Sequence, residues 1–165
     1  MSKTFYITTT IAYVNADPHV GYALELVQSD CLARYYRLIG TEVFFSTGTD
    51  EHGQKILEAS KKASKDVKEY VDHYAEEFKK LKPALNLSND NFIRTTSEEH
   101  ILATNEMWRR CNESGDIYKK SYEGLYCVGC ERFLNERDLV DGLCSIHLKA
   151  PILLEEENYF FRFSK

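Results

Sequence analysis

The chain has 165 residues, 43% apolar and 28% charged, with only 8 Gly and 3 Pro, which excludes disordered, collagen-like and low-complexity proteins. A chain of this length buries roughly two-thirds of its unfolded surface, enough for one domain with a small appendage. The 21 basic and 26 acidic side chains leave a net charge of −5, which excludes a generally basic surface for wrapping nucleic acid while leaving room for a local patch. No stretch is apolar for long enough to span a membrane, and the start carries no signal-peptide core, so the expected setting is cytoplasmic.

Residues 5–11, Phe-Tyr-Ile-Thr-Thr-Thr-Ile, are β-branched and aromatic and predict a first strand. Turn chemistry from Ala12 to Pro18 leads to His19-Val20-Gly21-Tyr22. Apolar residues at Leu24, Val27, Cys31, Tyr35 and Leu38 then predict a helix stopped by Gly40. Val43 to Thr47 reads as a short buried strand ending at Gly48-Thr49-Asp50-Glu51-His52-Gly53, so the opening is a βαβ unit. Val67, Val71, Tyr74, Phe78 and Leu81 mark one face of a second helical region over 54–82, broken at Pro83, with its Lys/Glu run as the solvated side. Phe92-Ile93-Arg94 predicts a short strand. Thr96-Ser97-Glu98-Glu99 reads as a capping box opening a helix through Ile101, Trp108 and Cys111 to a stop at Gly115. Beyond Asp116 this alternation gives way to aromatic, strand-like segments with cysteines between them, which places a boundary near residue 116. Cys31 and Cys111 lie on apolar helix faces and read as small buried hydrophobes.

The remaining cysteines carry the clearest chemistry. Cys127-Val128-Gly129-Cys130 and Cys144-Ser145-Ile146-His147 are two ligand hooks separated by a loop of zinc-knuckle length. Three thiolates and an imidazole close a tetrahedral shell, so the expectation is one structural Zn2+, with Gly129 and Gly142 relaxing the backbone where the hooks bend. The five cysteines are an odd number without a secretion signal, which disfavours a disulfide scaffold.

A second set of residues lies where an open parallel sheet binds ligands, at the carboxyl ends of its strands. His19 at the helix start can donate to a phosphate oxygen or simply cap the helix, and Gly21 removes a side chain where a base or backbone must come close. Asp50, at the end of the neighbouring strand, can hold an ammonium group or cap the following helix.

These blocks resemble the methionyl-tRNA synthetases, a family of class I aminoacyl-tRNA synthetases. The likeness runs through Thr8-Thr9-Thr10-Ile11-Ala12-Tyr13-Val14-Asn15, the "HIGH" signature at 19–22, Ala33-Arg34-Tyr35 and Gly48-Thr49-Asp50-Glu51-His52-Gly53. It continues in Phe92-Ile93-Arg94-Thr95-Thr96, Gly115-Asp116-Ile117-Tyr118, Tyr122-Glu123-Gly124, Tyr126-Cys127 and Glu157-Asn158-Tyr159-Phe160-Phe161-Arg162. The resemblance implies an α/β fold. Residues 1–116 would be the first half of a Rossmann-type parallel-sheet nucleotide-binding domain, and 117–165 a small β insertion, the connective peptide, carrying the zinc knuckle.

By the same resemblance Ile11, Tyr13 and Asp50 would bind methionine, with Asp50 on its ammonium group. His19, Gly21, Asn15 and Glu25 would bind ATP, which enters with Mg2+, and His19 and Tyr22 would be catalytic. The partners would be methionine, ATP and methionine tRNA, and the full-length protein would work as a monomer. Two departures set expectations of their own. Tyr22 stands where the signature has its second histidine, and a neutral phenol there predicts slower adenylate formation. The chain also stops at Lys165, before the family's "KMSKS" lysine loop, so it is expected to be truncated and inactive alone, with an uncovered sheet edge that favours self-association. The alternatives are another class I synthetase and a non-catalytic zinc-containing paralogue that binds methionine, ATP or tRNA.

Overall fold

Four parallel strands near the N-terminus are laid out by the expected βαβ logic, in a computed structural model that describes residues 3–164. β1 (Thr4–Thr8) and the two-residue β2 (Ala12–Tyr13) run end to end along one side of β3 (Glu42–Asp50), and β4 (Asn91–Arg94) pairs with its other side. The predicted strand over 5–11 is therefore broken at Thr9–Ile11. The carboxylate of Glu25 accepts both the amide and the hydroxyl of Thr10, at 2.7 and 2.6 Å, and draws the backbone out of the ladder. β3 is central, and residues Phe45 to Thr49 within it are all buried. Gly48 is required there, because a Cβ would lie 2.0 Å from the carbonyl oxygen of Ile93 on β4.

Helix α1 (Val20–Leu38) is capped by His19 and followed by Gly40 at φ +81°, as the stop signal predicts. Its buried face is not the predicted one. Tyr22, Leu26, Asp30 and Ala33 turn inward, whereas Leu24, Val27, Cys31, Tyr35 and Leu38 are largely exposed. The reason is that Asp30, polar in the sequence, is satisfied inside by Arg34 and by the amide and hydroxyl of Ser88, so an apparently polar stripe becomes the core stripe. The reading of Cys31 as a buried hydrophobe is thus corrected, and Cys111 is only half-buried.

The helical region over 54–82 is two helices, α2 (Gln54–Lys62) and α3 (Val67–Ala84). Ser64 in the left-handed region ends the first turn of chain, and Asp66 caps α3 by accepting from the amides of Lys68 and Glu69. Pro83 sits inside the last turn of α3 and does not break it. The helix ends one residue later, and Asn86 at φ +51° turns the chain away. Val71 and Phe78 are buried as expected, joined by Tyr70 and Ala75, and the main core also contains Val14, Tyr22, Leu26, Ile56 and Leu87.

α4 (Glu98–Glu113) is preceded by Ser97, whose hydroxyl accepts from the His100 amide, whereas the Thr96 hydroxyl of the predicted capping box goes to Glu51; Gly115 at φ +74° follows the helix. The described chain divides within this helix into two compact units, one ending at Thr104 and the other starting at Asn105. In the second unit β5 (Ile117–Cys127) is paired antiparallel with both β6 (Arg132–Leu134) and β9 (Ile152–Phe161). Between β6 and β9 lie a single 3-10 turn at Glu136–Asp138 and the small ribbon of β7 (Leu139–Val140) and β8 (Leu143–Cys144). No helix among the described residues is long and apolar enough to cross a membrane.

Candidate functional site

At the carboxyl ends of the parallel strands, a cleft of about 400 Å³ is lined by Tyr13, Asn15, His19, Gly21, Tyr22 and Glu25, six residues singled out in the sequence. Thr10, Ala12, Asp17 and Phe78 also line it and were missed. Phe78 comes from α3, far along the chain, and no local spacing signals it. Ile11 and Asp50 are not part of this lining. Ile11 lies in the break between β1 and β2, and Asp50 is the register partner of Tyr13 across the β2–β3 ladder.

Each lining residue has a physical anchor. The Nδ1 of His19 accepts from the amide of Gly21 at 3.0 Å, so the neutral ring carries its proton on Nε2, which remains a donor. A side chain on Gly21 would strike that ring, since its Cβ would lie 2.9 Å from Cε1. Asn15 is held through its carbonyl, which accepts from the Tyr70 hydroxyl at 2.9 Å. The ammonium of Lys55 lies over the Tyr13 ring, 5.9 Å from its centroid. Tyr22 is turned inward: its hydroxyl shares a hydrogen bond with the Thr47 hydroxyl at 3.0 Å and donates to the Gly48 carbonyl at 3.2 Å. Burial raises its pKa above the ordinary phenol value, so it stays neutral. Asp50 does not cap α2, whose N-cap is Gly53; its carboxylate accepts from the His52 amide at 3.4 Å.

The second site is local. The ligand atoms of Cys127, Cys130, Cys144 and His147 all lie within 4.8 Å of one another. The Nδ1 of His147 is 3.1 Å from the Cys130 sulfur and 3.9 and 4.0 Å from those of Cys127 and Cys144. Separations of this size suit four donors around one ion with bonds of about 2.0–2.3 Å, and three sulfurs with one imidazole suit a soft, tetrahedral metal. Gly129 is needed for room: a Cβ there would sit 2.6 Å from the His147 ring. Gly142, at φ +76°, supplies the turn between β7 and β8. Amide groups of His147 and Ile146 draw the Cys144 thiol down to about 6, whereas burial and the neighbouring sulfurs push Cys130 up to about 11. Crowded sulfurs that cannot all ionise are stabilised together by a divalent cation.

The parallel sheet with a cleft at the carboxyl ends of its strands is a Rossmann-like α/β arrangement, and the comparisons give its family. The family model for tRNA synthetases class I (M) matches residues 5–150, and the chain belongs to that family. It is 49% identical to a methionine–tRNA ligase of Thermotoga maritima over 98% of its length and 46% identical to one of Rhizobium meliloti over 99%. A Mycobacterium tuberculosis methionyl-tRNA synthetase solved in complex with methionyl-adenylate is 44% identical, with a TM-score of 0.87 over 97% of this chain. A LeuRS of Agrobacterium radiobacter, 19% identical with a TM-score of 0.77, is similar in fold alone. The chain spans 26% and 32% of the two ligases and 32% of the Mycobacterium protein.

Proposed function

We propose that this chain is the N-terminal part of a methionine–tRNA ligase that activates methionine with ATP and transfers it to its tRNA. The observation that carries this is the single cleft gathering Tyr13, Asn15, His19, Gly21, Tyr22 and Glu25. In this reading residues 1–116 form the first half of the catalytic domain and 117–165 the connective insertion, whose knuckle holds one structural Zn2+ through Cys127, Cys130, Cys144 and His147. The protein works in the cytoplasm, as a monomer when full length.

The reaction needs positioning and charge stabilisation more than covalent help from the protein. Asp50 pairs with the ammonium of methionine, and Ile11 and Tyr13 enclose its side chain. A methionine carboxylate oxygen attacks the α-phosphorus of ATP, a new P–O bond forms, and the bond to the β-phosphate breaks to release pyrophosphate. His19 donates from Nε2 to phosphate oxygen, and the helix N-terminus behind Gly21 adds its partial positive charge. ATP brings its own Mg2+. Asn15 and Glu25 frame the nucleotide, the latter while clasping Thr10. Tyr22 supports the floor through Thr47 and Gly48, and its neutral phenol supplies no cation to the phosphates. A tRNA 3′-terminal hydroxyl then attacks the carbonyl carbon of the adenylate and releases AMP.

Pyrophosphate exchange by the full-length ligase, run with each amino acid, tests the assignment. Methionine should drive exchange, and shorter or branched apolar side chains should be disfavoured by about 1–3 kcal/mol per methylene. A stronger response to another amino acid would assign a different class I synthetase, and no response to any would favour a non-catalytic paralogue.

A further inference from the structure

We propose that Glu51, gripped by Arg94, is a positioning residue that fixes Asp50 for the ammonium group of the amino acid, an inference that rests on the Asp50 assignment above. Asp50 ends β3, and the residues on either side of it, Thr49 and Glu51, are joined to one another by a side-chain hydrogen bond. The two neighbours of Asp50 are both fastened to the end of β4. The Glu51 amide donates to the Thr95 hydroxyl at 2.8 Å, and the Thr95 amide donates to the Thr49 carbonyl at 3.2 Å. The Glu51 carboxylate accepts from the Thr49 hydroxyl at 2.7 Å, from Nε and Nη2 of Arg94 at 2.7 and 2.8 Å, and from the Thr96 hydroxyl. Asp50, by contrast, accepts the His52 amide at 3.4 Å, so its own carboxylate is aimed by the backbone on which it is mounted.

Arg94 also reaches Asp72 on α3, at 2.6 Å from Nη2. That helix carries Tyr70, which holds the carbonyl of Asn15, and Phe78, which lines the cleft. One guanidinium therefore ties the strand end bearing Asp50 to the helix that walls the nucleotide side. The Glu51 side chain is 0% exposed. Burying a carboxylate is costly, and apolar residues of the same volume generally serve stability as well or better, so this ion pair is better explained by the geometry it imposes. Catalytic groups must be held to within about 0.5 Å, and a shift of about 1 Å costs on the order of a hundredfold.

The test uses the full-length ligase with Glu51→Gln, Arg94→Lys and Asp50→Asn. It measures the KM for methionine and for ATP in pyrophosphate exchange, and inhibition by 4-(methylthio)butanoate, which is methionine without its amino group. Glu51→Gln should weaken methionine by about 10- to 100-fold while moving the analogue and ATP by less than about twofold. Arg94→Lys, which keeps the charge and loses the fork, should do the same to a smaller degree, and it carries the test if Glu51→Gln does not fold. Equal losses for methionine and the analogue, or no loss for either, would overturn the positioning role. Asp50→Asn separates the two claims. If it abolishes the preference for methionine over the analogue and Glu51→Gln does not, only the positioning role fails. If Asp50→Asn keeps that preference, the ammonium contact itself fails.

Discussion

The cleft and the cysteine cluster solve the same problem, holding several polar groups in fixed geometry, by opposite means. The cleft draws on residues from Thr10 to Phe78, and these meet only because α1, α3 and the sheet pack around Val14, Leu26, Ile56, Val71 and Leu87. The cysteine cluster draws its donors from 127–147 and has almost no apolar core, with Cys127, Leu134 and Cys144 as its buried residues. In the first region packing creates the site. In the second the donors are themselves the core, so a bound metal would supply the stability that buried apolar area supplies elsewhere.

If that contrast is right, removing the metal should have the largest effect of any single change, and a local one. Structural zinc sites bind with about 10–16 kcal/mol of apparent free energy, so chelation or Cys127→Ser should erase amide-exchange protection over 127–147. Protection of β3 should be untouched, and metal analysis should return one zinc per chain of the native protein. The packed region should instead break at its closest backbone approach. Gly48→Ala must part β3 from β4, at a cost of about 4 kcal/mol in denaturant unfolding, because the obstructing atom is the Ile93 carbonyl oxygen.

Acid should also act on the packed region. Burial alone would raise the pKa of Glu51, but hydrogen bonds from Arg94, Thr96 and Thr49 outweigh it and leave the carboxyl below its usual range; Asp30 is lowered likewise by Ser88 and Arg34. A depressed carboxyl contributes stability that is fully present above the unfolded pKa, about 4, and lost as pH falls through the lower folded value. The urea midpoint should therefore drop below about pH 4, and Glu51→Gln with Asp30→Asn should flatten that drop. The smallest change is Tyr22→Phe, which removes the hydroxyl from Thr47 and Gly48 and should cost about 1 kcal/mol in the same unfolding assay.

The two regions also differ in how far the sequence discloses them. The gathering of Cys127, Cys130, Cys144 and His147 was legible from spacing alone, because two short hooks converge locally. Gly129 was read as a bend, but it is needed for space against His147, a contact that appears only when both hooks are folded. In the first unit the strands, the cap at His19 and the stop at Gly40 follow from local chemistry, as does the stop at Gly115 in the second. The buried face of α1 does not, since Asp30 is internal only because Ser88 and Arg34 satisfy it. Similarly, the break after Thr8 depends on Glu25, and the continuation of α3 through Pro83 reflects a φ that already suits a helix. The Glu51–Arg94 pair joins residues 43 apart and leaves no periodic trace in the sequence.

In the proposed reading ATP lies in the cleft against His19 and methionine lies beside it, with its ammonium at Asp50. A crystal structure of the full-length ligase with a non-hydrolysable methionyl-adenylate analogue tests it most directly. The ammonium nitrogen should lie within about 3 Å of the Asp50 carboxylate and the phosphate mimic within about 3 Å of the His19 Nε2. An analogue seated with its ammonium away from Asp50, or outside the cleft lined by Tyr13, Asn15 and Glu25, would contradict it.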